Sequence, residues 1–171
     1  MLFRSAGAPA AHAQTQAFVA PAPGTVIVTN AGAAYEIDSV ERTTVRTLTS
    51  LQAPTPWLAA CRPVAGSVEF DSQEIDALWP LQPGKTLRSA TWRGSTRWNL
   101  LFRVQGSETV SVAAGTFPAW LIEVEEASTS NDYKALFRCW YAPSLGFTVK
   151  REHTVLSGTA DRKSTRLNSS H

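Results

Sequence analysis

Chemistry at neutral pH needs titratable side chains that can be brought together, and this sequence spaces them poorly for it. His153, beside Glu152, stands in no Ser-His-Asp or Cys-His arrangement recognisable by spacing. A histidine without such partners is expected to be a surface or core residue rather than a base. Glu69, Asp71, Glu74 and Asp76 lack the Asp-x-Asp-x-Asp-Gly order of a calcium loop. They read instead as a capped helix start, where carboxylates suit the helix dipole. Glu123, Glu125 and Glu126 read as one solvated strand face set across from Lys134 and Arg138. Cys61 and Cys139 are too few for a disulfide scaffold, and one pair is not a zinc signature. They are either bridged, in an oxidising compartment, or simply small buried residues. No catalytic residue, metal or cofactor is expected from these patterns.

The richer signal is aromatic. There are six tryptophans, Trp57, Trp79, Trp92, Trp98, Trp120 and Trp140, and an indole serves either as core or as a stacking platform. If a concave aromatic face opens to solvent, the candidate ligand-binding residues are Trp92, Trp98, Trp120, Trp140 and Tyr141.

What must position these residues is a run of short β-favouring segments. Residues 25–29, 33–40 and 43–48 read as strands joined at Asn30-Ala31-Gly32 and Glu41-Arg42. Residues 51–68 carry Pro54, Pro56 and Pro63 and read mostly as loop, anchored by Trp57 and Leu58. A short helix is expected near 72–79, with Ile75, Leu78 and Trp79 on one face and Pro80 ending it. From residue 86 the period changes to two, with strands at 86–93, 97–104, 109–112, from 116 through 125, 133–141 and 147–154. The expectation is a mainly β fold: one antiparallel, strongly curled or barrel-like meander of about nine strands, closed up so that few edges stay open.

The two ends read differently. Residues 1–5 and 161–171 resemble translated sequencing adapter, so Arg162-Lys163 and the Asn168-Ser169-Ser170 glycosylation pattern are set aside. Removing Arg4, Arg162, Lys163 and Arg166 from 16 basic residues, and Asp161 from 14 acidic ones, leaves 12 against 13. Such a balance gives no electrostatic footprint for nucleic acid. Ala11-His12-Ala13 fits a signal-peptidase site, so residues 6–13 are read as the remnant of a signal peptide, 14–24 as a Pro/Ala linker and 25–160 as a single β-domain. The alternative for the first of these is an Ala/Pro linker without targeting value. No apolar run is long enough for a transmembrane helix.

Three blocks carry a resemblance: Ala77-Leu78-Trp79-Pro80-Leu81 leading to Pro83-Gly84-Lys85; Val112-Ala113-Ala114-Gly115-Thr116-Phe117 leading to Ile122; and Trp140-Tyr141-Ala142-Pro143 leading to Gly146 and Val149-Lys150. Together they resemble an uncharacterised exported proteobacterial β-domain family with V-x-A-G-T-F and W-Y-A-P turns. The resemblance implies a curled sheet and a periplasmic or otherwise exported location, and it supplies no activity. The expected function is therefore a non-enzymatic cell-envelope domain, whose partner is an envelope component or a small apolar or aromatic ligand held in a concave sheet face. The alternatives are a carboxylate-dependent hydrolase acting on envelope material and a purely structural domain.

Overall fold

The computed structural model describes residues 14–49, 52–63 and 72–158. The ends read as adapter, the stretch 6–13 read as a signal-peptide remnant, Glu69 and Asp71 lie outside them. Within them the chain runs β1 (Val26–Val28), β2 (Ala34–Glu41), β3 (Thr44–Thr49), β4 (Gln52–Leu58), β5 (Arg62–Pro63), α1 (Ser72–Asp76), β6 (Thr86–Arg93), β7 (Thr96–Val112), β8 (Gly115–Ser128), β9 (Lys134–Ala142) and β10 (Phe147–Ser157). These strands form two antiparallel five-stranded sheets, ordered β1-β2-β3-β4-β5 and β10-β9-β8-β7-β6. One is curled into a half-barrel.

The fold is thus mainly β and strongly curled, but the expected single meander of about nine strands is two meanders of five. The division falls between β5 and β6, where α1 stands. Ile75 and Leu78 bury almost completely, so this stretch gives side chains to the core and no rung to either ladder. The helix is also shorter than 72–79: beyond Asp76 the bonds are of the i to i+3 kind, from Leu78 N to Ile75 O at 3.0 Å and from Trp79 N to Asp76 O at 3.0 Å, which tightens the turn before Pro80.

Of the stretch expected mostly as loop over 51–68, the described part, 52–63, holds two strands. β4 pairs with β3 through Val45↔Trp57, Arg46↔Pro56 and Thr47↔Thr55, while β5 reaches only Trp57 and Leu58 on its other side. Among the described residues β4 therefore has no second neighbour at Pro54 and Pro56, where a missing N–H costs no rung. Conversely, the segments 97–104 and 109–112 fuse into the 17-residue β7. The join is a bulge: Val104 pairs with Ile122 and Gly106 with Leu121, leaving Gln105 without a partner. One extra residue reverses the alternation of β7.

A continuous core joins both sheets, from Ile37, Val45, Trp57 and Leu58 to Phe102, Val104, Ile122, Val124, Phe137 and Tyr141. A disulfide between Cys61 and Cys139, with Cα atoms 5.4 Å apart, ties them covalently. The segment read as a linker, 14–24, packs over one end. Gln16 and Leu81 exchange backbone bonds of 2.9 and 2.8 Å, and Phe18 packs edge-on to Trp79 at 5.0 Å. The Tyr141 hydroxyl accepts from Val19 N at 3.0 Å and donates to Val19 O at 3.1 Å. Gly146 has φ of 66°, and a Cβ there would collide with Val19 O and lie 2.7 Å from Pro21 N. Only glycine permits that approach.

Candidate functional site

The interior is not uniformly apolar. Along β8 the even positions Trp120, Ile122, Val124 and Glu126 are buried, while Leu121, Glu123 and Glu125 face the other way. Glu126 is 2% exposed. It is ion-paired to Arg62, itself 6% exposed, and to Arg93 through Nη2 at 2.7 Å. A buried carboxylate persists only where paired and hydrogen-bonded. The expected solvated face of Glu123, Glu125 and Glu126 is thereby corrected: neighbours on a strand point to opposite sides, so Glu126 cannot share a face with Glu125. Glu123 does face its cross-strand neighbour Arg138, at 2.9 Å, and Glu125 meets Arg103 at 2.5 Å.

Aromatic rings frame the inner cluster. The Arg62 guanidinium lies 4.6 Å from the centre of the Phe137 ring, and that of Arg93 lies 4.4 Å from Trp98. His153 stacks on Phe137 at 4.5 Å, and its Nε2 lies 3.4 Å from the Tyr133 hydroxyl. Tyr133 in turn packs edge-on to Trp98 at 5.5 Å. Arg151 follows the inner face of β10, across from Cys139, with its guanidinium 5.9 Å from the Trp57 ring.

The electrostatics follow from crowding cations in a dry place. Burial first, and then the charges of Arg93 and Arg151, push Arg62 well below the usual guanidinium range. Burial, then Arg151 and Arg62, lowers His153, and burial raises the Tyr133 phenol. Three polar atoms of this region, Arg62 Nε, Trp98 Nε1 and Thr91 Oγ1, are buried and have no hydrogen-bond partner among the described residues.

Arg62 reaches this position because its hairpin is held from several sides. The β4–β5 turn puts Ala59 and Ala60 at φ of 49° and 53°, a conformation alanine adopts only when its surroundings enforce it. Cys61 N donates to Leu58 O at 2.8 Å, the Thr148 hydroxyl donates to Ala60 O at 2.5 Å, and the disulfide fixes Cys61. The next residue is Arg62.

The aromatic candidates do not share one face. Trp98, Trp120 and Tyr141 line the inner side, and all three belong to the packed core. Trp140 joins Val110 and Ala119 in a separate small cluster, where its Nε1 donates to Glu108. Trp92, 46% exposed, lies on the opposite side of β6 from Thr91. An open groove of about 400 Å³ beside Trp120 is bordered by Gln14, Ser107, Thr109 and Ser144. Among the acidic residues, Glu74 accepts from the Ser89 hydroxyl at 2.9 Å, and Asp76 holds Arg42 and Thr43. No group of three or more His, Cys, Asp or Glu side chains able to hold a metal occurs among the described residues.

Residues missed in the sequence are Arg62, Arg93 and Glu126. Their one available signal was parity, a charge standing where the buried face of a strand should continue. Chemically, a lone carboxylate clamped by two guanidinium groups has no second carboxylate opposite it among the described residues, and both guanidinium groups meet its Oε2.

Fold and site together define an all-β domain with a cationic, aromatic-lined interior. Residues 52–161 match the family described as protein of unknown function, DUF3108, and the chain belongs to that family. No curated protein and no solved structure matches the chain. No helix among the described residues is long and apolar enough to cross a membrane.

Proposed function

We propose that this chain is a non-enzymatic, exported cell-envelope domain that binds a small ligand in the concave face of its curled sheet. The observation that carries the reading is the polar centre at Arg62, Arg93 and Glu126. It is framed by Trp98, Tyr133, Phe137 and His153 and contains buried donors without partners. Such placement of a few polar groups among rings is characteristic of ligand sites. A disulfide between the two sheets supports an oxidising compartment, as does Ala11-His12-Ala13 in the sequence. The V-x-A-G-T-F and W-Y-A-P blocks fall inside the stretch matched to the family, which supports extending the exported, proteobacterial likeness to this chain.

The binding residues of this reading are Trp98, from the original aromatic set, with Arg62, Arg93, Tyr133 and His153. Trp92 and Trp140 lie on the other face and are left out. Native mass spectrometry of the chain purified from an envelope fraction tests the proposal. A retained small molecule, lost when Trp98 is replaced by Leu, is the expected result. A bare chain that also shows no response of tryptophan fluorescence to any apolar or aromatic probe would leave only a structural role.

A further inference from the structure

The polar centre is unbalanced in two ways that point to one chemistry. Arg62 and Arg93 pair with Glu126, and Arg151 adds its charge near Arg62, so among the described residues this region carries two more positive charges than negative. The buried atoms of this cluster that lack a hydrogen-bond partner among the described residues are also of one kind: Arg62 Nε and Trp98 Nε1 only donate, and the Thr91 hydroxyl can donate. What is missing is negative charge bearing oxygen acceptors. The cluster has a solvent side as well, because Arg93 keeps 26% of its side chain exposed and both Arg151 and His153 are exposed. Val155, two residues beyond His153 on the same face of β10 and 47% exposed, offers an apolar surface beside that entrance.

We infer that this centre binds the anionic head group, a carboxylate or a phosphate, of an amphipathic ligand. The head group takes donors from Arg93, Arg62, Trp98 and Thr91, and the apolar remainder lies along Val155. Arginine suits the role because its planar fork matches both oxyanions in paired hydrogen bonds. Glu126 is a positioning residue that holds the two forks and keeps the empty site from carrying three unopposed charges. The inference rests on the concave-face reading above and narrows it to a ligand class.

Titration of the full chain with decyl phosphate, decanoate, decanol and inorganic phosphate, followed by tryptophan fluorescence and calorimetry, tests it. Decyl phosphate or decanoate should bind. Arg93→Met should weaken that binding tenfold or more with the circular dichroism spectrum unchanged, and Arg103→Met on the outer face should leave it unaltered. Thr91→Val, which deletes only the unpaired hydroxyl, is the second variant and should weaken binding several-fold even if Arg93→Met fails to fold. Competition by inorganic phosphate against decyl phosphate supports the head-group assignment and separates it from decanoate-only recognition, in which phosphate does not compete. Decanol binding as tightly as decyl phosphate overturns the anion site while leaving concave-face binding intact. Absence of binding by all four probes overturns both.

Discussion

Glu125 and Glu126 are adjacent on β8, both are paired to arginine, and they live in different solvents. Glu125 meets Arg103 on a face where both side chains are more than a third exposed. Glu126 meets Arg62 and Arg93 in the interior. In water the first pair gains little, because solvent screens the attraction and two long side chains must be held still. In the interior the same attraction is far stronger, and so is the penalty for leaving either partner alone. One step along a strand separates surface decoration from a constraint that the rest of the fold must satisfy.

The largest test of that contrast removes one carboxylate at a time. Glu126→Ala should cost about 3–5 kcal/mol by urea denaturation, since it strands buried guanidinium charge, whereas Glu125→Ala should fall within about 1 kcal/mol of the parent. Equal effects at the two sites would mean that the inner cluster is solvated after all. Next in size is the disulfide that holds Cys61 beside Arg62. Cys61→Ala with Cys139→Ala should cost about 2–4 kcal/mol, measured against the oxidised parent, and should also narrow the gap between Glu126→Ala and Glu125→Ala. Should that gap persist unchanged, the hairpin positions Arg62 without help from the bond. Tyr141→Phe, distant from both carboxylates, is expected to lose about 1–2 kcal/mol through the two backbone groups of Val19 it leaves unmet. It should add independently to Glu126→Ala in the double variant, and non-additivity would show that the end of the barrel and its polar centre are coupled.

The smallest effects are in pH. On the outer face the Arg138 hydrogen bond, ahead of its other neighbours, holds the Glu123 carboxyl below its usual range. That contribution is fully present above the unfolded value of about 4.3 and is lost as pH falls through the lower folded value. Inside, burial and then Arg151 and Arg62 disfavour protonated His153, which also touches Tyr133 and Phe137. Stability linked to it should be intact above the unfolded value of about 6.5 and should decline as pH falls from there through the lower folded value. Denaturation midpoints from pH 8 to 5 should show that decline in the parent and flatten in His153→Gln. A profile unchanged by the substitution would remove His153 from the centre.

Much of the second sheet was legible because its rules are local. Strand Thr86–Arg93 keeps the bounds its pattern implied, and the alternation through Trp98, Leu100, Phe102 and Val104 marks the buried side of β7. The first sheet hid two strands behind Pro54 and Pro56, since a proline excludes a central position but not an edge, and edge position is a property of the neighbours. Division into two sheets was equally unreadable: whether Ile75 and Leu78 plug a barrel or separate two ladders depends on contacts across the fold. The polar centre was missed for another reason. Closeness in sequence groups Glu123, Glu125 and Glu126, whereas strand parity decides which of them meet. The aromatic set failed in the same manner at Trp92 and Trp140, each one residue out of phase with the inner face.

The unpaired Gln105 makes parity a variable along a single hairpin. Before it, β7 sends its even residues inward; after it, Ser107 and Thr109 take that side, and Glu108 and Val110 turn to the cluster with Trp140. Loss of that one residue is therefore a change of shape, not of partners. A chain lacking Gln105 would keep Gly106 across from Leu121, Ser107 across from Trp120 and Glu108 beside Trp140, and would lose the local bend instead. The indole N–H of Trp140 should accordingly keep its protection from hydrogen exchange in that chain.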